Sequence, residues 1–194
     1  MGPWVIHAGL LRLGCHTATA GCLPEDRRAT RLRDFRPTVV VGRPSELFAL
    51  AQHLGRRGVN ARRLGVRLLL STGEAGGNVH ELRRELSGLW GAEVHDRYGL
   101  TEAGPVAAEC PAHPGGLHLP QDGFVAEAID SDTGAAVPDG DEGELVLTTL
   151  GRAASPIIRY RTGDVVRLVR SFRCACGRTG PLLAGGVRRA RRVE

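Results

Sequence analysis

The pattern of hydrophobic residues changes about halfway along this chain of 194 residues, and that change limits the folds it can adopt. In the first part, stretches with apolar residues at helical spacing alternate with short runs rich in valine and leucine. Such alternation of helix and strand is typical of an α/β layer on a parallel sheet. We predict helices at residues 23–35, 44–57 and 79–89, and strands at residues 38–42, 66–70 and 93–97.

After about residue 104 the sequence has strand patterns and turns. Residues 124–130 alternate apolar and polar side chains, as a half-buried strand does, and a turn signal follows at residues 131–134. Further strands are predicted at residues 143–150, 156–160 and 165–169. We therefore expect an α/β part at residues 1–105, a smaller antiparallel β subdomain at residues 106–180 and a basic tail at residues 181–194.

Composition and charge exclude several classes of partner. The net charge is +5, and all 26 basic residues are arginine; the run from Arg188 to Arg192 carries four of them. Because no aromatic residues are interleaved with these charges, we do not expect a nucleic-acid partner. No apolar run approaches the roughly 18 residues of a membrane span, and the first residues lack the pattern of a secretory signal. We expect a cytoplasmic protein without a membrane partner.

A glycine-rich loop is predicted at residues 71–77, between a strand and a helix. Glycine lets the backbone approach a ligand closely, and the amides at the start of a helix attract anions. Gly73 and Glu74 are the candidate ligand-binding residues of this loop. A simple strand-to-helix turn is the alternative interpretation.

The segment at residues 96–102, which begins at Asp96, combines side chains that suit a nucleotide. Tyr98 can stack on a purine, and Gly99 beside it leaves the backbone room for the ligand. The hydroxyl of Thr101 can bond a phosphate oxygen, and the carboxylate of Glu102 is an oxygen ligand of the kind that Mg²⁺ prefers. Taken alone, these residues also fit a polar loop.

A second candidate segment, at residues 159–164, ends in Thr162, Gly163 and Asp164. The carboxylate of Asp164 can accept hydrogen bonds from the two neighbouring hydroxyls of a ribose. These three residues alone also fit a β-turn, and the Ile-Arg-Tyr-Arg run before them makes the segment more distinctive.

Three cysteines and two histidines form a further constellation in the second half of the chain. Cys110 and His113 have the spacing of zinc ligands, and Cys174 and Cys176 form a tight thiolate pair. Because thiolate and imidazole together suit tetrahedral Zn²⁺, we predict a structural zinc site. Its predicted ligands are Cys110, Cys174, Cys176 and one histidine, either His118 or alternatively His113. Reduced thiols without a metal are the other interpretation.

Taken in this order, the segments at residues 96–102 and 159–164 resemble the nucleotide-binding core of AMP-forming acyl-CoA ligases, and above all the phenylacetate–CoA ligase family. Gly73 and Glu74 resemble part of that family's Gly-Ala-Glu-Pro loop. The Gly-Leu-His run that ends at His118, and the Cys-Ala-Cys-Gly-Arg-Thr run from Cys174, resemble a pattern found in some members. The resemblance covers roughly residues 4–180.

The resemblance implies a role for each candidate residue. Tyr98 would lie at the adenine, Thr101 at the α-phosphate and Asp164 at the ribose. Thr101 and Glu102 would be the catalytic residues, with Glu102 acting as a ligand of Mg²⁺. The whole implied set of nucleotide-binding residues is Gly73, Glu74, Asp96, Tyr98, Gly99, Thr101 and Asp164.

The resemblance also implies a reaction. An aryl or acyl carboxylic acid would be joined to AMP and then passed to coenzyme A, with ATP or AMP, Mg²⁺ and coenzyme A as cofactors. Complete members carry a further phosphate-gripping loop and a C-terminal domain with an essential lysine, whereas this chain has no lysine. We expect a truncated form with little or no independent activity, which works with a partner chain or as a homodimer. A non-catalytic, zinc-stabilised binding module is the alternative.

Overall fold

The computed structural model describes residues 2–75 and 79–189. The chain divides into two compact units, Met1–His95 and Asp96–Glu194, and each has its own hydrophobic core. The described residues form four α-helices and nine strands. Across the described part of the chain, every helix is too short or too polar to cross a membrane.

The first unit combines two parallel strands with four helices. Its elements are α1 (Gly2–Arg12), α2 (Glu25–Phe35), β1 (Val39–Gly42), α3 (Pro44–Arg56), a short 3₁₀ helix (Ala61–Arg63), β2 (Leu68–Thr72), α4 (His80–Trp90) and the start of β3 (Glu93–Leu100). β1 and β2 pair in parallel, with Val39 opposite Leu68. Parallel neighbours need a crossover connection, and α3 lies in that connection.

Local sequence explains where these helices begin and end. Pro44 stands in the first turn of α3, where a missing backbone N–H leaves no hydrogen bond unmade. Glu46 accepts a hydrogen bond from the guanidinium of Arg43 at 2.8 Å and so steadies the same turn. α4 ends at Gly91, whose φ of 63° lies in the left-handed region that favours glycine, and the Gly91 amide bonds the carbonyl of Ser87.

Trp90 anchors the core of the first unit. Its side chain is fully buried, and its Nε1 donates a hydrogen bond to the backbone carbonyl of Leu47 at 3.1 Å. The indole can therefore be buried without leaving its polar atom unpaired. Leu69 from β2 and Leu86 from α4 are fully buried in the same core. The apolar sides of α3 and α4 are thus the sides that pack inward.

The second unit is an antiparallel sheet. After β3 its strands are β4 (Gly104–Cys110), β5 (His113–His118), β6 (Phe124–Ile129), β7 (Glu142–Thr149), β8 (Tyr160–Arg173) and β9 (Thr179–Arg189). The strand order is β3-β4-β5-β9-β8-β7-β6, and each of these neighbours is antiparallel. The side chains of Leu117, Leu145, Leu147 and Leu183 are fully buried and form the centre of its core.

The predicted fold class is confirmed, because a parallel α/β layer is followed by an antiparallel β part. The sequence pattern did not reveal α1, β4, β5 or β9. In β5 the run His-Pro-Gly-Gly-Leu-His contains residues that are rare in strands, so local propensity gave no strand signal. The predicted tail lies in β9 from residue 181 to residue 189, and residues 190–194 lie outside the described residues.

The strand predicted at residues 156–160 is wrong. Residues 156–159 form no strand, and β8 begins only at Tyr160. Arg159 has a left-handed φ of 46°, which interrupts an extended course. The preceding residues are held by Thr149 instead, whose backbone N–H donates to the Ile157 carbonyl at 3.0 Å and whose Oγ1 accepts from the Ile157 amide at 3.1 Å.

Two leucines three positions apart test the assignment of the core. Leu147 is 0% exposed and Leu150 is 42% exposed. We expect Leu147→Ala to lower the free energy of unfolding by about 2–5 kcal/mol, because it leaves a cavity in a packed core. Leu150→Ala should change it by less than about 0.5 kcal/mol. Urea unfolding of both variants measures these free energies. Equal losses of stability would contradict the assignment of Leu147 to the core and Leu150 to the surface.

Candidate functional site

A buried carboxylate lies on β8 in the second unit. Asp164 is only 6% exposed, and its Oδ2 accepts a hydrogen bond from the hydroxyl of Tyr98 at 2.6 Å. Its Oδ1 lies 3.0 Å from a guanidinium nitrogen of Arg189, which stands opposite it on β9. The structure thus brings together Tyr98 and Asp164, two predicted nucleotide-binding residues that lie 66 positions apart in the chain.

Tyr98 is held in its neutral form. Burial raises the pKa of its phenol, and the hydrogen bond to Asp164 and the negative charge of that carboxylate raise it further. The hydroxyl therefore keeps its proton near neutral pH and donates a hydrogen bond to Asp164. This donor fixes the orientation of the carboxylate, with one oxygen at Tyr98 and the other at Arg189.

Glu144 on β7 positions the backbone that carries Asp164. Its Oε1 accepts a hydrogen bond from the Gly163 amide at 3.1 Å, and its Oε2 accepts one from Nε of Arg161 at 2.9 Å. Gly163 has a φ of 67°, a conformation that glycine adopts without strain. The Thr162 hydroxyl completes the arrangement, because it accepts from the Asp164 amide at 3.1 Å. The Arg161 guanidinium holds the pKa of the Glu144 carboxyl below its usual value.

The segment at residues 96–102 is the end of β3 and the turn that follows it. Asp96 is buried, its amide donates to Oε2 of Glu109 at 2.6 Å, and its Oδ1 accepts from the Arg97 amide at 3.0 Å. Gly99 has a steric role, because a Cβ there would lie 2.7 Å from the carbonyl oxygen of Gly104. The strand therefore tolerates only glycine at this close approach to β4.

Thr101 and Glu102 lie exposed in the turn between β3 and β4. Arg152 donates a hydrogen bond to the backbone carbonyl of Glu102 at 3.2 Å. Burial raises the pKa of the Tyr160 phenol, and so does the nearby Glu102 carboxylate. Tyr160 begins β8, so Glu102 lies beside the strand that carries Asp164. Its exposed oxygens suit a hard cation such as Mg²⁺, which keeps several water ligands.

Gly73 and Glu74 follow β2 in the first unit. Gly73 has a left-handed φ of 91°, and Oε1 of Glu74 accepts a hydrogen bond from the Ser45 amide at 2.6 Å. Glu74 thereby satisfies a free amide in the first turn of α3, where a negative charge is favourable. Its role as a ligand-binding residue stays a prediction. The loop's last two glycines, Gly76 and Gly77, lie outside the described residues.

Four predicted zinc ligands converge near β5 and the turn before β9. Their ligand atoms all lie within 4.8 Å of one another, and the four residues are Cys110, His118, Cys174 and Cys176. Sγ of Cys110 lies 3.3 Å from Nε2 of His118 and 3.7 Å from Sγ of Cys174. In tetrahedral Zn²⁺ sites, bonds of about 2.0–2.3 Å place neighbouring ligand atoms about 3.5 Å apart. The donor set and its spacing therefore fit zinc.

The second histidine, His113, lies outside this four-residue group among the described residues. Its ring packs on Phe172 with centroids 4.8 Å apart. His118 rather than His113 completes the cluster, although Cys110 stands opposite His113 where the pairing of β4 with β5 shifts after Glu109. From the sequence, His118 was the predicted ligand and His113 the alternative.

Sequence reasoning missed the residues that support Asp164. Glu144 was placed in a strand pattern, but a single glutamate in such a pattern carries no sign of its partners. Arg189 belonged to the predicted tail, and only the pairing of β8 with β9 brings it to Asp164. Glu109 was also missed, although it is buried and its Oε1 accepts from the Gly115 amide at 2.8 Å.

Comparisons with known proteins identify close relatives of these segments. A family model described as AMP-binding enzyme matches residues 4–153. A phenylacetate-coenzyme A ligase of Pseudomonas putida is 38% identical over 165 residues, which are 84% of this chain and 37% of that protein. Another, from Thermus thermophilus, is 34% identical over 184 residues, which are 92% of this chain and 41% of that protein. The chain thus spans about two fifths of the length of these relatives.

Solved structures agree with the sequence matches. A crystal structure of 2-hydroxyisobutyryl-CoA ligase in the postadenylation state, in complex with 2-HIB-AMP, has a TM-score of 0.88 and 28% identity. The match covers 98% of this chain and 41% of that one. A benzoate CoA ligase from Burkholderia xenovorans shares the fold, with a TM-score of 0.54 and 24% identity. The predicted resemblance to phenylacetate–CoA ligases is confirmed.

The ion pair of Glu144 generates a pH-dependent prediction. Because its folded pKa lies below the unfolded value of 4.5, the pair stabilises the protein above that pH, and the stabilisation is lost as pH falls through the folded pKa. We expect Glu144→Gln to lose about 1–3 kcal/mol at pH 7, and the difference from wild type to shrink between about pH 5 and pH 3.

Thermal unfolding of both proteins across this pH range measures the effect. Glu127→Gln is the matched control, since Glu127 pairs with Arg159 at 3.1 Å on the surface. Its loss should be small at every pH. A deficit of Glu144→Gln that is unchanged from pH 7 to pH 3 would show that the carboxylate charge contributes nothing.

Proposed function

The chain belongs to the family of AMP-binding enzymes, and from that premise we propose that its second unit binds the ribose of an adenine nucleotide through Asp164. One observation carries the proposal, namely the buried Asp164 carboxylate that the Tyr98 hydroxyl holds at 2.6 Å. A buried carboxylate is costly unless its oxygens are paired. Tyr98 and Arg189 pair them here, and both partners are side chains rather than backbone groups.

The ribose would compete with these internal partners. A vicinal diol donates two hydrogen bonds to one carboxylate, and we expect it to take the place of one internal partner of Asp164. Arg189 is the partner that can yield, since its side chain is 68% exposed whereas that of Asp164 is 8% exposed. The neutral phenol of Tyr98 keeps its donor and would hold the second oxygen in place.

Thr101 and Glu102 would serve the phosphate end of the nucleotide. The exposed hydroxyl of Thr101 would donate to an α-phosphate oxygen, and the exposed carboxylate of Glu102 offers oxygens for Mg²⁺. When bound there, Mg²⁺ neutralises phosphate charge. Asp96 and Gly99 support the site indirectly, because Asp96 fixes the backbone of β3 and Gly99 permits the close approach to β4.

We propose that the whole enzyme is an AMP-forming CoA ligase. A carboxylate oxygen of an aryl or acyl acid displaces pyrophosphate from the α-phosphorus of ATP, and the thiol of coenzyme A then displaces AMP and loses its proton. The relatives named phenylacetate-coenzyme A ligase support this reaction type. Because the chain spans about two fifths of their length, the isolated chain is proposed to have little or no ligase activity, the remaining groups coming from further polypeptide.

Nucleotide binding is the direct test of the ribose site. We expect AMP with Mg²⁺ to raise the melting temperature of the wild-type chain, because a ligand that binds only the folded state stabilises it. Asp164→Asn keeps the shape of the side chain but removes its charge, and should weaken AMP binding by about tenfold or more.

Asp139→Asn is the control for that variant, since Asp139 pairs with Arg170 at 3.1 Å on the surface. It should bind AMP as the wild type does. An Asp164→Asn protein that is folded and retains full affinity for AMP would remove Asp164 from the site.

We further propose that Cys110, His118, Cys174 and Cys176 hold a structural zinc ion. The support is the fit of their spacing to a tetrahedral site. The cluster ties the end of β4 to the turn before β9, two places that lie 64 positions apart at Cys110 and Cys174. Such a tie stabilises the folded state, because metal binding free energy becomes folding free energy.

Zinc removal tests this second proposal. Purified protein should contain one zinc ion per chain, and a strong chelator should lower its melting temperature. Cys174→Ser should lose the metal, whereas Cys15→Ser, a change at an exposed cysteine outside the cluster, should retain it. Elemental analysis that finds no zinc in protein purified without chelators contradicts the proposal.

A further inference from the structure

Arg97 is a half-buried cation on β3 without an acidic partner in the described structure. Within residues 2–75 and 79–189, no hydrogen bond or ion pair reaches its guanidinium. Burial alone lowers its pKa. Arg161 and Arg189 show the opposite, since the carboxylates of Glu144 and Asp164 raise their pKa values. Burying a charged group without a counter-ion is costly, so such groups persist where a ligand supplies the opposite charge.

The geometry of β3 separates Arg97 from the ribose site. Successive side chains of a strand point to opposite faces, and Tyr98 points towards Asp164 and the core of the second unit. Arg97 therefore lies on the other face. The residue opposite it on β4 is Ala108, which carries no charge. An anion at Arg97 would thus lie across the strand from the ribose.

We propose that Arg97 binds a carboxylate of the acid substrate, and that this acid carries a second acidic group besides the one that is activated. The inference rests on the proposed ligase function. Arg97 is one residue from Tyr98 and four from Thr101, so a diacid held there lies close to the nucleotide while remaining on its own face of β3. Arginine suits this role, because its planar fork matches a carboxylate with two parallel hydrogen bonds.

The unpaired charge makes the first test independent of any ligand. Arg97→Met keeps the apolar length of the side chain and removes the buried charge. We expect the ligand-free variant to melt about 2–4 °C above wild type, because a functional residue held without a partner costs stability. Arg170→Met, which removes an exposed arginine paired with Asp139, should leave the melting temperature within about 1 °C. A lower melting temperature for Arg97→Met means that Arg97 is structural and overturns the proposal.

The second test compares two acids that differ by one carboxylate. Isothermal titration, with and without AMP present, should show homophthalate binding to the wild type and phenylacetate binding more weakly. Arg97→Met should lose about tenfold to a hundredfold in affinity for homophthalate and little for phenylacetate, and Arg97→Lys should recover part of the loss. Equal affinity of wild type and Arg97→Met for homophthalate, or no binding to either, overturns the proposal.

AMP titration separates the possible anions. Arg97→Met should bind AMP as the wild type does. If the variant instead loses AMP affinity while homophthalate binding is unchanged, the anion at Arg97 is the nucleotide phosphate, and the diacid proposal fails. If wild type binds homophthalate through Arg97 but does not bind AMP, the diacid site stands and the proposed nucleotide function fails.

Discussion

The contact between the Tyr98 hydroxyl and the Asp164 carboxylate is the constraint on which the rest of the site depends. A carboxylate this deeply buried must be paired, and its partners must be fixed before a ligand arrives. Tyr98 meets the condition because its phenol stays protonated. Glu144 contributes by fixing the backbone beside Asp164, because it accepts hydrogen bonds from the Gly163 amide and from Arg161. The antiparallel sheet thereby brings one side chain of β3 into contact with one side chain of β8, although the two strands are not neighbours.

The same arrangement explains how this carboxylate can be buried and still offer an oxygen to a ligand. Arg189 neutralises Asp164 while no ligand is bound, yet it is largely exposed and can move into water at little cost. Tyr98 cannot move in that way, since it is packed against the core of the second unit. The site thus has one exchangeable partner and one fixed partner. The cysteine and histidine cluster lies at another part of the sheet, between the end of β4 and the turn before β9.

Much of the fold could be predicted from sequence, because helical periodicity and β-branched runs are local signals. α3 is an example, since Pro44 and the apolar spacing after it fix both its start and its buried side. The candidate residues of the site were likewise visible as short motifs, and Tyr98 and Asp164 do meet. Their supporting partners were not visible. Arg189 reaches Asp164 only through strand register, and β5 was hidden because glycine and proline gave no local strand signal.

The most direct measurement of the central claim is the affinity of the chain for AMP compared with 2′,3′-dideoxy-AMP, by calorimetric titration at one pH and salt concentration. The two ligands share the base and the phosphate and differ only in the hydroxyls that Asp164 is proposed to bind. The dideoxy compound can donate neither hydrogen bond to Asp164, so it gains no binding free energy at this carboxylate. The account predicts that AMP binds at least about tenfold more tightly than the dideoxy compound. Equal affinities for the two would contradict it.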